Sequence, residues 1–506
     1  MKMNRLEILS KQEIQEIHNS TIELLETVGV IIESPQVRNI FKEHGATIEQ
    51  VNRDYFVKIP EELILEQLKN VPREFSLYGP DGSFNFKVNT KNLNFSTFGA
   101  AVNIVDPTNK KGIRKTTLKD VIDQIRVVNA LDNIVCSGLD VWPNDVPFME
   151  LHCHILREWA RHSYRPFGLG CYGKTASQDM INIASIVVGG KEELVKRPRL
   201  IGIFNPTSPL RLTHLLLNGI LIFAKYKQPL NITSSASAGS TAPVTIAGIL
   251  TQGNMEILTS IILTQLVNPG APVFYGSTNT IMDPPTGNIA YGSMEMGLIT
   301  IAAAQLAHFY NIPSKGSGAL TDSKCFDIQN GFERFIGLFF AVNAGHNYIT
   351  CAGTYETSLS ETLELLVIDD ELAGIIKRGL EGISVNKETI ATEEIKKVMA
   401  SEKKNYLGRK HSVKNTRKEI YLPLLVDRNR RGRWLKDGAK DIMSRAGEKV
   451  NEILQSQQGP GLSSDIDTKL SEYLKIVASR SVNDYRKLEG MVESEGEVDI
   501  AGFKIE

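Results

Sequence analysis

From Asn133 onward, short apolar segments alternate with longer stretches whose apolar positions recur at helical spacing. The short segments carry the β-branched and aromatic residues that are typical of buried strands. They are Ile134–Leu139, Pro166–Cys171, Leu200–Phe204, Leu230–Ser234, Val273–Tyr275, Gly316–Leu320, Tyr348–Ala352 and Gly382–Val385. Eight strands alternating with helices, without a Gly-x-Gly-x-x-Gly motif after the first, predict an α/β fold of the (β/α)8 TIM-type barrel class.

The two ends of the chain show other patterns. Near the N-terminus, Ile14, Ile17 and Leu25 share one face of a predicted helix, whereas Asn92–Asp106 predicts a β-hairpin. Past Thr389 the sequence becomes charged and helical. We therefore predict three parts: an N-terminal α/β extension (residues 1–90), the barrel as the catalytic domain (91–400) and a basic C-terminal helical segment (401–506).

Composition is that of an ordinary globular protein. The chain has 506 residues, 42% of them hydrophobic, and a formal net charge of -1, which argues against binding of the whole protein to nucleic acid or a membrane surface. The N-terminus has no uninterrupted apolar run, and the five cysteines form no Cys-x-x-Cys pair. These features predict a cytoplasmic protein with reduced thiols.

Positive charge is concentrated in one segment. Ile395–Val450 contains 17 lysines and arginines against 6 aspartates and glutamates. Such an excess is found on solvated helical surfaces and on surfaces that bind an acidic partner. Both interpretations stay open, and nucleic acid is the weakest of the alternatives because no recognition motif accompanies the charge.

Candidate binding residues follow the predicted strands, because chemistry in parallel α/β folds lies at the carboxyl ends of strands. The polar candidates are Asn279, Asp322 and Glu356. Aromatic rings can form a cage whose faces attract a quaternary ammonium without any formal negative charge. The aromatic candidates are Phe98, Trp142, Tyr172, Phe204, Tyr275 and Tyr355.

Metal and nucleophile chemistry have weaker signals. His152 and His154 are two residues apart in a helical stretch and therefore point to different faces, so we expect no metal site. A Schiff-base lyase is the main mechanistic alternative, since such barrel enzymes place a lysine on a barrel strand. Lys324 follows the sixth predicted strand and is the better candidate, whereas Lys315 precedes that strand at its wrong end.

Five motifs resemble the trimethylamine methyltransferase family of corrinoid-dependent enzymes. They are TAPVTIAG, YGSTNTIMDPPTGNIAYGSMEMGLI, GALTDSK, GTYETSLSETLELLVIDDE and HSVKNTRKE followed by DR, and the similarity extends from about Phe95 to Trp434. The resemblance implies a barrel with added terminal segments. It also implies transfer of a methyl group from a methylamine to the Co(I) centre of a separate corrinoid protein, with no cofactor bound tightly by the chain itself.

The resemblance also suggests a substrate class. Family members that act on trimethylamine carry pyrrolysine in the barrel, whereas this chain contains only standard residues. It is therefore similar to the branch that demethylates quaternary amines such as glycine betaine, proline betaine, carnitine and γ-butyrobetaine. By the same resemblance, a histidine late in the barrel positions the substrate, and the matching candidate here is His346.

This methyl transfer requires no nucleophile and no general acid from a protein side chain. Cobalt(I) is a strong nucleophile and the leaving group is a neutral amine, so the protein has to bind the cation, align one N–CH3 bond and exclude water. The alternatives are the Schiff-base lyase and a non-catalytic betaine-binding protein. We expect a homo-oligomer that meets its corrinoid protein through the basic segment.

Overall fold

The computed structural model describes residues 5–99, 101–105, 112–138, 141–456 and 458–490, with two short strands near the C-terminus. The N-terminal extension contains α1 (Lys11–Thr27), β1 (Val30–Ile32), α2 (Pro35–Glu43), β2 (Thr47–Val51), β3 (Asp54–Lys58), α3 (Glu61–Asn70), β4 (Glu74–Tyr78) and β5 (Asn85–Asn89). The β4–β5 hairpin buries Leu77, Phe86 and Val88 in one cluster with Phe274 and Tyr348 of the barrel strands. It therefore adds apolar packing to the barrel core.

The central part follows in chain order. It contains β6 (Asn94–Ser96), β7 (Asn103–Val105), β8 (Ile113–Lys115), α4 (Leu118–Ala130), β9 (Ile134–Gly138), a 3-10 turn (Phe148–Glu150), α5 (Leu151–His162), β10 (Phe167–Gly170), α6 (Lys174–Val188), α7 (Lys191–Lys196), β11 (Leu200–Phe204), β12 (Arg211–Leu212), α8 (His214–Lys225), β13 (Leu230–Ser234), β14 (Ser237–Ala238), α9 (Ile246–Val267), β15 (Val273–Ser277), β16 (Thr280–Met282), β17 (Ile289–Ala290), α10 (Met294–Phe309), β18 (Ser314–Ser317), α11 (Ile328–Ala344), β19 (Tyr348–Thr350), β20 (Thr354–Tyr355), β21 (Ser360–Glu361) and α12 (Leu363–Glu381).

Eight of these strands close into a barrel in the order β6-β9-β10-β11-β13-β15-β18-β19. Every neighbouring pair around the ring is parallel, including the closing pair β19–β6. This confirms the predicted (β/α)8 TIM-type barrel. Two small sheets, β14-β16-β17 and β20-β21-β7-β8, are formed by segments that follow barrel strands, and so they lie at the mouth where the strands end.

Two strand predictions were wrong. The barrel takes its remaining strand from Asn94–Ser96 and not from Gly382–Val385, because Asn94 and Phe95 pair in parallel with β19 and complete the ring. After Glu381 the chain is exposed, with Ile383 at 79% and Val385 at 74% exposure. The hairpin predicted over Asn92–Asp106 is also absent from its described residues, since β7 pairs antiparallel with β8 instead; Asp106 lies outside the described residues.

The C-terminal segment is helical, as predicted. Helices α13 (Lys387–Ile390) and α14 (Thr392–Ala400) precede it. The segment itself contains α15 (Lys410–Glu419), α16 (Arg431–Lys436), α17 (Ile442–Ser456), α18 (Ser464–Ala478) and α19 (Val482–Glu489), then β22 (Val498–Ile500) and β23 (Phe503–Ile505). Ala446, Val450 and Ile453 of α17 are buried in the same apolar cluster as side chains of α12. The three-part domain division stays a prediction.

Helix α9 is apolar on all sides because it is enclosed by protein. In the described part of the chain it is the one helix whose length and composition would allow it to cross a membrane, and 78% of its apolar window is buried. It packs against α1, α2, α3 and α8 and against β13. Each leucine or isoleucine buried in these contacts contributes about 1.5–3 kcal/mol to stability. Because α9 contacts elements of both parts, it joins the N-terminal extension to the barrel.

Candidate functional site

A cavity of about 410 Å³ lies at the carboxyl ends of the barrel strands. Seven of the eight barrel strands, or the residues directly after them, contribute to its lining. Its aromatic members are Phe98, Tyr172 and Tyr291, and its polar members include Thr233, Ser235, Thr278, Lys315 and Thr357. No aspartate or glutamate is found among the described residues that line it. The cavity therefore offers rings, hydroxyls and one ammonium group.

Two glycines make room for two of the rings. A Cβ atom added at Gly138 would lie 2.4 Å from Cδ2 of Phe98, and one at Gly170 would lie 2.1 Å from Cζ of Tyr172. Neither ring could occupy its place if those positions carried a side chain. Phe98 has a backbone φ of 116°, a conformation that side chains rarely adopt, so the chain turns sharply just after β6.

Tyr291 completes the set of rings and was not among the candidates. The amides of Tyr291 and Gly292 donate to the two oxygens of Asp322 at 2.9 and 2.8 Å. Asp322 follows β18, whereas Tyr291 follows β17, which pairs with β16 to form a small hairpin. Burial raises the pKa of Tyr291 to about 12, so the phenol is neutral. Asp322 thus acts on the site by holding the loop that carries Tyr291.

Lys315 lies inside the barrel, contrary to the prediction that it occupies the wrong end of its strand. The strand begins one residue earlier than Lys315, and the side chain extends along the interior to contact Thr278 beyond β15. Its Nζ donates to Thr278 Oγ1 at 2.7 Å and to Ser317 Oγ at 2.8 Å. Burial lowers the pKa of Lys315 to about 8, which leaves it mostly protonated at neutral pH.

Several predicted aromatic residues lie behind the cavity instead of in it. Phe204 and Tyr275 are fully buried in the main core cluster, and Tyr275 donates its hydroxyl to Asn254 of α9 at 2.9 Å. Their strand neighbours face the interior instead, since side chains alternate between the two faces of a strand. Trp142 packs edge-on against Tyr172 with ring centroids 5.7 Å apart and supports that ring from behind.

The remaining candidates act locally around the mouth. Asn279 Oδ1 accepts hydrogen bonds from Ser234 Oγ at 2.8 Å and from the Ala236 amide at 2.7 Å, which ties β15 to the segment after β13. Tyr355 is buried against Phe326 with centroids 5.2 Å apart. Glu356 accepts from Ser360 at 2.7 Å, and the three residues after Glu356 line the cavity.

His346 lies on the other side of the barrel wall from the cavity. Its Nε2 is 3.0 Å from the Thr300 carbonyl of α10, so this nitrogen carries the proton. A Cβ atom added at Gly316 would lie 2.5 Å from Cδ2 of His346, whereas Lys315, one residue earlier, points inward. Burial lowers the pKa of His346 to about 3, so it is neutral. The geometry is that of a histidine joining β18 and β19 to α10.

Other reactive side chains are already engaged or exposed. Lys324 is exposed and donates to the Asp322 carbonyl at 2.6 Å. Cys351 lines the cavity, whereas burial raises the pKa of Cys171 well above its usual value. None of the five cysteines forms a disulfide. The Schiff-base alternative that relied on Lys324 therefore finds no support in the geometry.

His152, Cys153 and Asp179 form the cluster that comes nearest to a metal-ligand set in the described part of the chain. His152 Nε2 is 3.2 Å from Asp179 Oδ2. Arg480 donates to both oxygens of Asp179 at 2.6 and 2.9 Å, and Tyr473 donates at 2.6 Å. The guanidinium supplies the positive charge that a metal would bring, so this cluster fastens the C-terminal helices to α5 and α6.

The basic segment runs along α12 from the far end of the barrel toward the mouth. Arg378, near the end of α12, donates to the Glu419 carbonyl at 2.7 Å. In the middle of α12, the Glu371 carboxylate accepts from the amides of Leu424 and Leu425. Gly447 of α17 lies beside Glu364 at the start of α12. Because α12 begins at the mouth and runs away from it, α13–α15 lie far from the cavity, and the segment that leads into α17 approaches it.

Comparisons of the sequence with known proteins identify one family. A sequence model described as Trimethylamine methyltransferase (MTTB) matches residues 1–481. The glycine betaine methyltransferase of Desulfitobacterium hafniense is 32% identical over 92% of this chain and 96% of its own length. The trimethylamine methyltransferase MttB of the same species is 33% identical over 94% of both chains, and that of Methanosarcina barkeri is 32% identical over 91% of this chain and 93% of its own.

Solved structures give a weaker likeness. The monomethylamine methyltransferase MtmB of Methanosarcina barkeri aligns over 96% of this chain and 89% of its own, with a TM-score of 0.44 and 11% identity. The assignment therefore depends on the sequence matches, which cover nearly the whole chain. By those matches the chain belongs to the trimethylamine methyltransferase family, and it is a methyltransferase.

Proposed function

We propose that this protein transfers a methyl group from a quaternary amine of the betaine type to the Co(I) centre of a separate corrinoid protein. The observation that carries the proposal is the cavity at the mouth, which Phe98, Tyr172 and Tyr291 line without a carboxylate among the described lining residues. Ring faces bind a permanent cation while leaving its methyl groups reactive. The similarity to a glycine betaine methyltransferase supports the same substrate class.

The reaction balances without an acid or base from the protein. The acceptor's nucleophile attacks the methyl carbon, the C–N bond breaks, and both electrons of that bond leave on nitrogen as the lone pair of a neutral tertiary amine. The rings hold the cation in place and exclude water, so one N–CH3 bond can be aligned with the acceptor. Exposed Asn205, at the edge of the cavity, marks where it opens to solvent and where an acceptor could approach.

A screen of methyl donors tests the proposal. The purified protein is mixed with reduced cobalamin and one amine at a time, and methylation of cobalt is followed by absorbance. Glycine betaine, proline betaine, carnitine and γ-butyrobetaine are compared with trimethylamine. We expect one betaine to be the best donor. A rate from trimethylamine that equals or exceeds the rate from every betaine would contradict the proposal.

We assign the corrinoid protein's contact surface to the part of the basic segment that approaches the mouth. Arg430 and Arg431 are exposed and form no ion pair with any described residue, and the guanidinium of Arg431 lies 5.5 Å from the centre of the Trp434 ring. Opposite charges steer two proteins toward a productive encounter, and this effect weakens with salt. Reversing both charges should raise the apparent KM for the corrinoid protein at low ionic strength, whereas reversing Lys396 and Lys397 on α14, far from the mouth, should leave that KM unchanged. An unchanged KM in the Arg430/Arg431 variant would refute the assignment.

A further inference from the structure

Lys315 carries a buried positive charge, and no described carboxylate lies beside it. Its side chain is 2% exposed, and its Nζ donates to the hydroxyls of Thr278 and Ser317, which lie 2.9 Å from each other. Among the described residues no carboxylate forms an ion pair with Lys315. An ammonium group has three N–H donors, so one remains for a ligand in the cavity that this residue lines.

A buried ammonium without a counter-charge is costly, and an apolar residue would avoid that cost. The lowered pKa of Lys315 reflects the same burial. The titratable groups around it in the described structure are Cys351, Tyr172 and Tyr291 in the cavity and His346 behind the strand. Burial raises the pKa of both tyrosines, so neither is a phenolate at neutral pH, and a histidine carries no negative charge in either protonation state. None of these groups is a carboxylate, and Cys351 is the group whose charge would raise the pKa of Lys315. A purely cationic ligand would add a second positive charge to this cavity, whereas a zwitterion would bring the missing negative one.

We propose that Lys315 binds the carboxylate of the substrate, so that the site selects quaternary amines that also carry an anionic group. The inference depends on the proposed function for the cationic end, which contacts the rings of Phe98, Tyr172 and Tyr291. Thr278 and Ser317 hold the ammonium group in position for the carboxylate. The unit that the cavity recognises is thus a short zwitterion, with its charges divided between the rings and Lys315.

The test compares glycine betaine with tetramethylammonium and choline, which share its permanent cation and lack its carboxylate. Lys315→Met removes the charge, and Lys315→Gln removes the charge while keeping N–H donors for the two hydroxyls. Lys324→Met is the matched control, because it deletes an exposed lysine nearby. Methyl transfer to reduced cobalamin and calorimetric binding are both measured, and kcat/KM is followed against pH.

Both Lys315 variants should lose about tenfold to a hundredfold in kcat/KM and in affinity for glycine betaine, the range for a lost charge-assisted hydrogen bond. Neither should lose affinity for tetramethylammonium, and Lys324→Met should match the parent protein. In the parent, kcat/KM for glycine betaine should fall above about pH 8 as Lys315 loses its proton, and this limb should vanish in both variants.

The outcomes separate the two proposals. If no quaternary amine methylates cobalamin, the proposed function fails, and the binding measurements alone then decide the role of Lys315. Preference for glycine betaine that survives in both Lys315 variants would overturn the inference. Borohydride trapping of a carbonyl compound on Lys315 would overturn it as well, because that result would make the residue a nucleophile of the Schiff-base type.

Discussion

Two buried cations in this barrel show how differently a fold can treat positive charge. Arg334 of α11 is 1% exposed; it donates to Asp369 at 2.6 Å and to Asn330 at 3.1 Å, and it also contacts the Thr354 carbonyl. Lys315 is as deeply buried but has only two hydroxyl partners. The paired arginine joins α11, α12 and β20 and serves the fold. The unpaired lysine lines a cavity, where a ligand can supply its counter-charge.

The comparison predicts its largest effect at Arg334. Arg334→Met leaves Asp369 as a buried carboxylate without its partner, and such a change costs about 3–5 kcal/mol of unfolding free energy. Lys315→Met should leave the free energy of unfolding at neutral pH unchanged or higher, since it removes an unpaired charge. Denaturant titrations of the two variants give both numbers. Equal destabilisation by the two substitutions would show that both cations are structural.

The pH dependence of stability should identify the same lysine. The pKa of Lys315 is about 8 in the folded protein and near its ordinary value of 10.5 in the unfolded chain. Between these values the unfolded chain binds more protons, so the unfolding free energy rises with pH, by about 1.4 kcal/mol per pH unit at most and up to about 3 kcal/mol in total.

Other groups titrate in this window, so the quantity to measure is the difference between the parent protein and Lys315→Met in urea titrations from pH 7.5 to 10.5. The curves should converge as pH rises, because the penalty of the buried charge disappears. Parallel curves would mean that burial does not perturb this lysine.

His346 and Lys315 lie on opposite faces of β18, since Lys315 points into the barrel and His346 packs behind Gly316. His346→Ala removes a buried hydrogen bond to the Thr300 carbonyl and should cost about 1–3 kcal/mol of stability. Because the histidine lies behind the barrel wall, kcat and KM of the folded fraction should match those of the parent protein. The variant is measured by thermal unfolding and by methyl-transfer kinetics at a temperature where it is folded. A loss of kcat without a loss of stability would return His346 to the substrate-positioning role that the family resemblance implies.

The smallest effect is expected for the rings. Phe98→Leu keeps the apolar contact and removes the ring face, which should weaken binding of the quaternary ammonium by about 1–2 kcal/mol. Phe204→Leu is the control, because that ring lies in the core behind the cavity. Calorimetric titration with glycine betaine measures both. If Phe204→Leu weakens binding as much as Phe98→Leu does, the effect is one of packing, and Phe98 is not part of a cage around the cation.

The sequence predicted the barrel well because six of its strands carry apolar residues and long helices separate them. The sequence placed the exception, β18 (Ser-Lys-Gly-Ser), two residues too late. It missed Asn94–Ser96, since a three-residue strand with two polar residues has no apolar run to detect. It also could not tell which face a buried strand presents to the interior, because fully buried strands lack polar alternation. For that reason the sequence pattern indicates Phe204 and Tyr275 as cage residues, although both face outward in the structure.

Two residues of the site show what the sequence lacked. Lys315 was set aside because the strand was predicted to begin at Gly316, whereas its side chain starts low in the barrel and reaches the cavity. Tyr291 reaches the cavity through the hairpin of β16 and β17, whose turn closes between Asp283 and Asn288. The Pro-Pro-Thr-Gly stretch within that turn is a recognisable signal, and the hairpin it predicts would have directed attention to Tyr291.

Proton uptake on binding of glycine betaine shows whether Lys315 holds the substrate carboxylate. At about pH 9 much of Lys315 in the free protein has lost its proton, and a bound carboxylate would draw it back by raising the lysine pKa. Titrating glycine betaine calorimetrically in two buffers of different ionisation enthalpy gives the number of protons taken up. We expect proton uptake by the parent protein with glycine betaine, and none with tetramethylammonium or in Lys315→Met. Binding of glycine betaine without proton uptake, or with equal uptake in Lys315→Met, would contradict it.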